Sequence, residues 1–182
     1  LAEFASSAMG RSLQENLPVE RLEHDAPVAV LMGGFVMFRR SAWDAVGGLD
    51  ERYFLYCEEV DLFRRLAQQG HSFWRIAAAR GFHHAGHGDG SSPMRLLYHA
   101  AGTMQFVRIH WSAIGARVAF VLIWIAAMER FLAGRLLGRF IPRLQSRERA
   151  YRLVALHPGL WMRGYDERSG LLAKLERRGM PS

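Results

Sequence analysis

Residues 33–70 read G-G-F-V-M-F-R-R-S-A-W-D-A-V-G-G-L-D-E-R-Y-F-L-Y-C-E-E-V-D-L-F-R-R-L-A-Q-Q-G, and this stretch decides the fold. The apolar run at 28–38, which overlaps its start, is rich in β-branched residues and predicts a buried strand. The glycine pair inside that run marks a bulge or a close backbone approach. Ser41 predicts the N-cap of a short helix that ends at the next glycine pair. Residues 58–69 predict a second helix, which Gly70 stops.

The segments on either side of this stretch also have predicted structures. Residues 1–27 indicate a short helix followed by a loop, and residues 72–77 a further short strand. A strand at 81–84 leads into a glycine-rich loop at 85–92. Pro93 opens a helical region that continues, with breaks, to about Arg152, and we expect the residues after it to be loosely held. The chain thus divides into an N-terminal remnant (1–27), a part with strands and helices (28–93), a helical region (94–152) and a polar tail (153–182).

The composition is that of one folded domain. With 182 residues, half of them apolar and 23% charged, the chain is long enough to bury a sizeable core, and wholesale disorder is excluded. The lone cysteine, Cys57, excludes an internal disulfide framework and a cysteine-based zinc site, and it favours a reducing compartment. The chain starts at Leu1 and its first 30 residues lack a signal-peptide pattern, so we expect a fragment whose front is missing.

Charge is unevenly distributed along the chain. Residues 1–94 carry a net charge of −3 and residues 95–182 a net charge of +10. The basic half suits nucleic acid, an anionic membrane surface or a phosphate-bearing ligand. Because this half lacks the interleaved aromatic residues of a stacking surface, nucleic-acid binding ranks last, and we expect no nucleic-acid partner.

The apolar run at 118–128 has the composition of a membrane helix. A spanning helix needs roughly 20 apolar residues, so this run is too short to cross a bilayer. Four arginines recur at every fourth residue after it and would share one helical face: Arg135, Arg139, Arg143 and Arg147. That pattern predicts a helix lying in the interface of an anionic bilayer. The alternatives are a core helix followed by a solvated basic helix, or a dimer contact.

Three acids crowd the start of the second predicted helix, namely Glu58, Glu59 and Asp61. At 100° per residue, Glu59 shares the apolar face of that helix and Glu58 lies on the flank. Asp61 points nearly the opposite way, toward Arg64 and Arg65. A carboxyl group in a low dielectric has a raised pKa, which suits a general base, so Glu59 is the candidate. Arginines and the helix dipole favour the charged form of the other two acids; the alternative is that acids simply favour the first turn of a helix.

A second constellation, His83-His84-x-x-His87, precedes a run of glycines and serines. His83 and His84 end a predicted strand and point to opposite faces, and Gly86 and Gly88 argue against a helix that would let His83 and His87 chelate together. A three-histidine zinc site is therefore only weakly indicated. One histidine joining carboxylates from elsewhere around a hard divalent ion is favoured. The loop that follows could wrap a phosphate with backbone N–H groups or form a surface turn.

These linked motifs resemble glycosyltransferase family 2, in particular its rhamnosyltransferase-like members. The family pattern is a G-[GA]-x-x-x-x-R-R strand, a V-G-G-F-D-E turn (here with Leu49), and an F-x-Y-x-E-[DE]-x-D-L motif leading into a helix that ends in glycine. The downstream R-x-x-x-H-H-x-x-G-x-x-S-S portion is similar too, here with Arg80, His83, His84 and a slightly expanded loop. The resemblance covers about residues 28–112 and implies a GT-A fold. The predicted fold class is therefore α/β: a partial GT-A-like domain of short strands plus helices, followed by a helical, basic C-terminal region.

The resemblance also implies roles for individual residues. The second acid of the E-[DE]-x-D-L motif is the base that deprotonates the acceptor hydroxyl, here Glu59, with Glu58 beside it and Asp61 in a positional role. His83 matches a ligand of the divalent metal, Mg or Mn, that neutralises the departing diphosphate, and acidic ligands would come from the missing half. The residues expected to contact the substrates are Gly33, Gly34, Trp43, Asp50, Arg80 and Ser91.

The function implied by the resemblance is inverting transfer of a sugar from a nucleotide-sugar to a lipid-linked or polysaccharide acceptor, with rhamnose as the family-level expectation. The chain has no D-x-D motif before Leu31 and no βαβ pattern for a nucleotide. We therefore expect the C-terminal, acceptor-side portion of a longer enzyme, inactive as an isolated fragment. Such an enzyme would work in the cytoplasm, peripheral at the inner face of the cell membrane, in cell-wall polysaccharide biosynthesis. The alternative is a non-catalytic membrane-associated module.

Overall fold

The protein is a mostly helical α/β chain in the part that the structure describes. The computed structural model describes residues 24–31, 33, 35–80 and 92–178. In chain order the elements are β1 (Ala26–Val28), α1 (Arg40–Ala45), α2 (Glu58–Gln68), β2 (Phe73–Arg75), α3 (Pro93–His110), α4 (Ala113–Leu137), α5 (Pro142–Leu156), α6 (Pro158–Trp161) and α7 (Leu171–Arg177). The predicted combination of short strands and helices, with a helical C-terminal region, is confirmed.

The strand predicted at 28–38 is wrong in position and extent. β1 ends at Val28 and pairs antiparallel with β2, with Pro27 opposite Trp74. Met37, expected inside a buried strand, is 96% exposed. A strand persists only where a neighbour satisfies its backbone hydrogen bonds, and within the described residues the three-residue β2 pairs with β1 alone.

The elements next to α2 agree better with the sequence. β2 lies inside the strand predicted at 72–77. α2 ends two residues before Gly70, whose φ of +82° lets the chain leave the helix. α1 ends just before the glycine pair at 47–48, where both residues have positive φ. The N-cap of α1 is Arg39 rather than Ser41, because the backbone is still extended there (φ −68°, ψ 124°) and no side chain caps the helix.

The helical region predicted to open at Pro93 is confirmed, with breaks after α3 and after α4. Pro93 stands in the first turn of α3, where its missing N–H leaves no hydrogen bond unmade. Helices α3, α4 and α5 pack together around a core that includes Leu97, Ala101 and Phe131. In the described part of the chain, none of the helices is both long and apolar enough to cross a membrane.

As far as the structure describes it, residues 153–178, the last segment is not the loosely held polar tail that its composition suggests. Trp161, Leu171 and Leu175 have no exposed surface and belong to the same core as α3 and α4. The indole N–H of Trp161 donates to the carbonyl oxygen of Val154 at 2.9 Å. Composition misleads here because a few large apolar side chains on one side of a short helix, spaced four residues apart, are enough to bury it.

The arginine stripe predicted over residues 135–147 does not form one helical face. α4 ends before Pro142, where α5 begins, so Arg135 lies in α4, Arg139 in the short turn that follows, and the other two arginines in α5. A Cβ on Gly134 would lie 2.4 Å from the amide nitrogen of Glu148, which shows how closely the two helices approach. Arg135 pairs across this hairpin with Glu148, Nη1 to Oε1 at 3.3 Å. The four-residue spacing fails as a predictor because a proline starts a helix far more easily than it continues one.

Candidate active site

The turn that precedes α2 has an unusual backbone. Tyr56 and Cys57 both lie in the left-handed region, with φ of 67° and 71°, which costs a non-glycine residue about 1–3 kcal/mol. A Cβ on Gly102 would lie 2.4 Å from the carbonyl oxygen of Tyr56, so only a glycine lets α3 approach this closely. On another side, the hydroxyl of Tyr165 donates to the carbonyl oxygen of Leu55 at 2.5 Å. Packing from α3 and from the C-terminal segment thus fixes the turn that leads into α2.

Glu58 and Glu59 open α2 side by side. Each is half-buried, and the Oε2 atom of each is shielded from solvent without a hydrogen-bond partner among the described residues. Burial raises the pKa of the Glu59 carboxyl, its own backbone N–H opposes this, and the negative charge of Glu58 raises it further. A raised pKa is the direction that the helical wheel predicts for Glu59. It suits a group that takes up a proton during a reaction.

Gly33 lies beside Glu59. A Cβ built on Gly33 would lie 3.9 Å from the Cβ of Glu59, which is ordinary van der Waals contact. The structure therefore brings one of the predicted substrate residues next to the predicted base. Three other predicted residues and several predicted elements lie outside the described residues: Gly34, His83, Ser91, the N-terminal helix within 1–23, the strand at 81–84 and the glycine-rich loop as far as residue 91.

Asp61 has a different environment from the predicted one. The wheel places it opposite the apolar face, yet its exposed fraction is 1%. Its Oδ2 accepts from Nε of Arg65 at 2.7 Å, and its Oδ1 lies 2.6 Å from Nε2 of His110. Arg65 also donates to the carbonyl oxygens of Val46 and Gly48, at 2.6 and 2.7 Å. The arginine partner predicted for Asp61 is confirmed, and its burial is a feature that the wheel does not show.

The burial of Asp61 follows from α2 being covered on two sides. Leu62 and Leu66 pack into an apolar cluster on one side, and the end of α3 brings His110 to the side of Asp61. His110 is the residue that sequence reasoning missed, because 49 positions separate it from Asp61. The available signal is a histidine in the last turn of a predicted helix, where the dipole favours a cation.

The other predicted substrate residues have structural contacts of their own. The ring of Trp43 packs on Phe38, with centroids 5.5 Å apart. Asp50 accepts from Nη2 of Arg52 at 2.6 Å, and its side-chain hydrogen bonds to Arg52 hold the pKa of Asp50 below its usual range. Arg80 is exposed at the end of a described segment. Their roles in substrate binding stay predictions.

Two further features near α2 are not candidates for the chemistry. Burial raises the pKa of the Cys57 thiol to about 12, so little of the nucleophilic thiolate forms at neutral pH. A cavity of about 520 Å³ opens between Val30 and the side of α2 that carries Phe63, but its lining includes neither Glu58 nor Glu59.

The acidic ligands of the predicted metal, Mg or Mn, are expected from outside the described residues. Within the described ranges, no three side chains among His, Cys, Asp and Glu come together as a metal site requires. Because His83 lies outside those ranges, the metal site stays a prediction.

We call the first turn of α2, with Glu58, Glu59 and Asp61, the acidic turn. Known proteins similar to this chain match the region that contains it. The profile of a family described as the N-terminal domain of galactosyltransferase matches residues 11–88. The N-acetylglucosaminyl-diphospho-decaprenol L-rhamnosyltransferase of Mycobacterium tuberculosis is 42% identical over 90 residues, which are 48% of this chain and 29% of that protein. The rhamnosyltransferase WbbL of Escherichia coli K12 is 33% identical over 108 residues, which are 59% of this chain and 41% of that protein. No solved structure matches the chain.

The motifs in residues 33–70 resemble those of glycosyltransferases, and these similarities confirm that resemblance. The matched profile includes Glu58, Glu59 and Asp61, so the acidic turn lies within the similar region. The chain spans between 29% and 41% of the length of these two relatives.

Proposed function

We propose that this glycosyltransferase-like chain is the acceptor-side half of an inverting transferase with a GT-A fold, and that Glu59 is its general base. The observation that carries the proposal is the Glu59 carboxylate, which is half-buried, has a raised pKa and has an Oε2 atom without a partner among the described residues. A polar group kept in this way costs free energy unless a ligand uses it. Its place inside the profile match at 11–88 supports a role in sugar transfer.

The reaction that suits these residues is a single displacement. The acceptor hydroxyl gives its proton to a Glu59 oxygen as the acceptor oxygen attacks the anomeric carbon of the nucleotide-sugar. The nucleoside diphosphate leaves from the opposite side with the electron pair of the broken bond, so one attack inverts the anomeric centre. Glu58 contributes negative charge that raises the pKa of Glu59, and the contacts of Asp61 hold the helix that carries both glutamates.

The names of the relatives support particular substrates. Both are rhamnosyltransferases, which supports a nucleotide-linked rhamnose as the donor. The name of the mycobacterial protein contains a diphospho-decaprenol, which supports a lipid-linked acceptor, with a polysaccharide as the alternative. We therefore expect the enzyme to work in the cytoplasm, peripheral at the inner face of the cell membrane, in cell-wall polysaccharide biosynthesis.

The proposal includes a divalent metal, Mg or Mn, with His83 as one ligand. The ion would stabilise the negative charge that develops on the leaving diphosphate. We expect further acidic ligands from outside the described ranges, because those ranges hold no cluster of three candidate ligands.

The decisive variant is Glu59→Gln, made in the complete protein encoded by the reading frame that contains this chain. It keeps the shape of the side chain and removes the base, so kcat should fall about 10²–10⁴-fold while nucleotide-sugar binding is retained. Glu51→Gln changes an exposed acid eight residues before Glu59 and is the matched control, which should keep wild-type turnover. Turnover of Glu59→Gln at the wild-type rate would overturn the assignment. So would a reading frame that encodes no nucleotide-binding segment with a D-x-D motif.

A further inference from the structure

Helix α4 has apolar side chains on both its inner and its outer side. The inner side, which includes Ala127 and Phe131, is buried in the core. Eight large apolar side chains of α4 are between 42% and 72% exposed, and six of them, all but Leu122 and Leu137, lie on the outer side. At 100° per residue these six fall within an arc of about 60°. We call them the outer face of α4: Ile114, Val118, Val121, Ile125, Leu132 and Leu136.

The outer face is too long and too apolar to be ordinary protein surface. From Ile114 to Leu136 it extends for about 33 Å, at about 1.5 Å per residue. Soluble monomers rarely expose a contiguous apolar patch of more than a few hundred Å². A helix that is apolar on all sides is normally buried on all sides. An exposed apolar face of this size is typical of an interaction site.

Positive charge follows one edge of the outer face. Arg117 and Arg135 are 18 residues apart, which is about five helical turns, so their exposed side chains flank the same edge about 27 Å from each other. Arg135 also pairs with Glu148 of α5, so Arg117 is the cation of this edge that does not share that pair. Just beyond the end of α4, the guanidinium of Arg139 lies 4.3 Å from the ring centroid of the exposed Phe140. The acid of this helix, Glu129, lies at the opposite edge, between the outer face and the exposed Leu122. An apolar face with a cationic edge is typical of helices that lie on anionic bilayers.

We propose that the outer face of α4 docks onto an anionic lipid bilayer, with the helix axis parallel to the membrane surface. The apolar side chains would enter the acyl boundary by about 5–10 Å, and the arginine edge would lie among the phosphate headgroups. The helix lies on the bilayer because it is not long and apolar enough to cross it. An antiparallel second copy of this chain fits less well, because it would bring Arg117 opposite Arg135 along a shared edge, where like charges repel.

Docking of the outer face deepens the membrane location in the proposed function, by naming the surface that makes the contact, but it does not depend on the transferase activity. A docked face would hold the acidic turn near an acceptor carried on a lipid. Vesicle binding itself needs neither a nucleotide-sugar nor an acceptor, so the two proposals fail in different assays.

Flotation of the 182-residue chain with vesicles tests the docking. The vesicles are phosphatidylcholine alone and phosphatidylcholine mixed with phosphatidylglycerol, and we expect binding to the anionic mixture. Replacing Arg117 and Arg135 together with glutamine should weaken that binding about 25-fold, at about fivefold for each arginine. Ile125→Asp, at the centre of the outer face, should weaken it at least about tenfold. Leu156→Asp introduces the same charge at a side chain that is 44% exposed at the end of α5, and this control should bind as the wild type does.

The outcomes separate the bilayer from other partners of the outer face. Circular dichroism establishes that each variant is folded before its binding is compared. Absence of flotation with anionic vesicles, indifference to anionic lipid, or wild-type binding by Ile125→Asp would each overturn the proposal. A dimer that Ile125→Asp dissociates, without vesicle binding, would assign the outer face to a second copy of the chain instead.

Discussion

Glu59 and Asp61 stand two residues apart at the start of α2, yet their carboxyl groups have opposite surroundings. Asp61 is 1% exposed, and its two oxygens lie 2.7 Å from Nε of Arg65 and 2.6 Å from Nε2 of His110. Glu59 is half-buried, and one of its oxygens has no partner among the described residues. One acid is fully engaged in holding the fold, while the other is available to a ligand.

The oxygen of Glu59 that has no partner among the described residues depends on the contacts that Asp61 makes. Arg65 connects Asp61 to the carbonyl oxygens of Val46 and Gly48, and His110 connects it to the end of α3. A buried carboxylate oxygen without a partner, as Glu59 has within the described part of the chain, costs free energy, and so does the strained backbone of the turn before α2. Both persist only where the surrounding structure over-determines the backbone. The contacts of Asp61 therefore stabilise the helix on which Glu59 can remain unsatisfied.

Removing Asp61 should cause the largest loss of stability. Asp61→Ala leaves Arg65 and His110 without their shared acceptor, and breaking a buried pair in this way costs about 3–5 kcal/mol of unfolding free energy, measured by urea denaturation. The control is Asp44→Ala, because Asp44 pairs with Arg40 at the same four-residue spacing and 2.8 Å, with side chains 53% and 87% exposed. That exposed pair should be worth no more than about 1 kcal/mol. Equal losses in the two variants would show that burial of Asp61 adds nothing.

The helical wheel explains why one of these acids was predicted well and the other was not. A wheel contains information about one helix only. It places Glu59 on the same side as Leu62, and burial does raise the pKa of Glu59. It cannot show that α3 covers the opposite side, because the contact between Asp61 and His110 joins positions 49 residues apart.

The fold predictions that succeeded rest on properties of single residues, and those that failed depend on contacts between distant parts of the chain. Gly70 and Pro93 marked a helix end and a helix start correctly, because φ freedom and a missing N–H are properties of single residues. The strand at 28–38 failed because a strand needs a partner, and its partner β2 pairs with Ala26–Val28. The burial of Trp161 was missed for the same reason, since the core that receives it comes from α3 and α4.

Gly102→Ala should have the next largest effect, because it displaces the turn that precedes α2. The added methyl would meet the carbonyl oxygens of Tyr56 and Leu55 at 2.4 and 2.8 Å, and these are backbone atoms that cannot rotate away. Overpacking of this kind costs about 1–3 kcal/mol, offset only in part by about 1 kcal/mol of helix propensity. Thermal unfolding measures the loss. Gly159→Ala, in α6 with nothing within 4 Å of its Cβ position, should be neutral or slightly stabilising.

A shifted turn should also move Glu59. In the complete protein, Gly102→Ala should therefore lower turnover more than Gly159→Ala does at a temperature where both are folded. If Gly102→Ala is as stable and as active as the wild type, then α3 does not fix this turn.

The smallest expected effect concerns Glu59 itself, and its sign depends on pH. Burial raises the pKa of Glu59 above the value of 4.5 expected in an unfolded chain, so the folded protein binds this proton more tightly than the unfolded one does. The contribution of Glu59 to stability is therefore fully present below pH 4.5 and is lost as the pH rises through the folded pKa. Glu59→Gln resembles the protonated acid, so it should match the wild type at low pH and become the more stable protein at neutral pH.

Thermal unfolding of both proteins from about pH 4 to about pH 8 measures this difference. Glu51→Gln, which removes a negative charge from an exposed side chain, controls for the change in net charge. A difference that grows with pH only for Glu59→Gln would show that ionised Glu59 costs stability where it stands, in contrast to Asp61. If the difference stays constant across this range, the two acids differ only in their partners, and the structure would give Glu59 no electrostatic reason to take a proton from an acceptor.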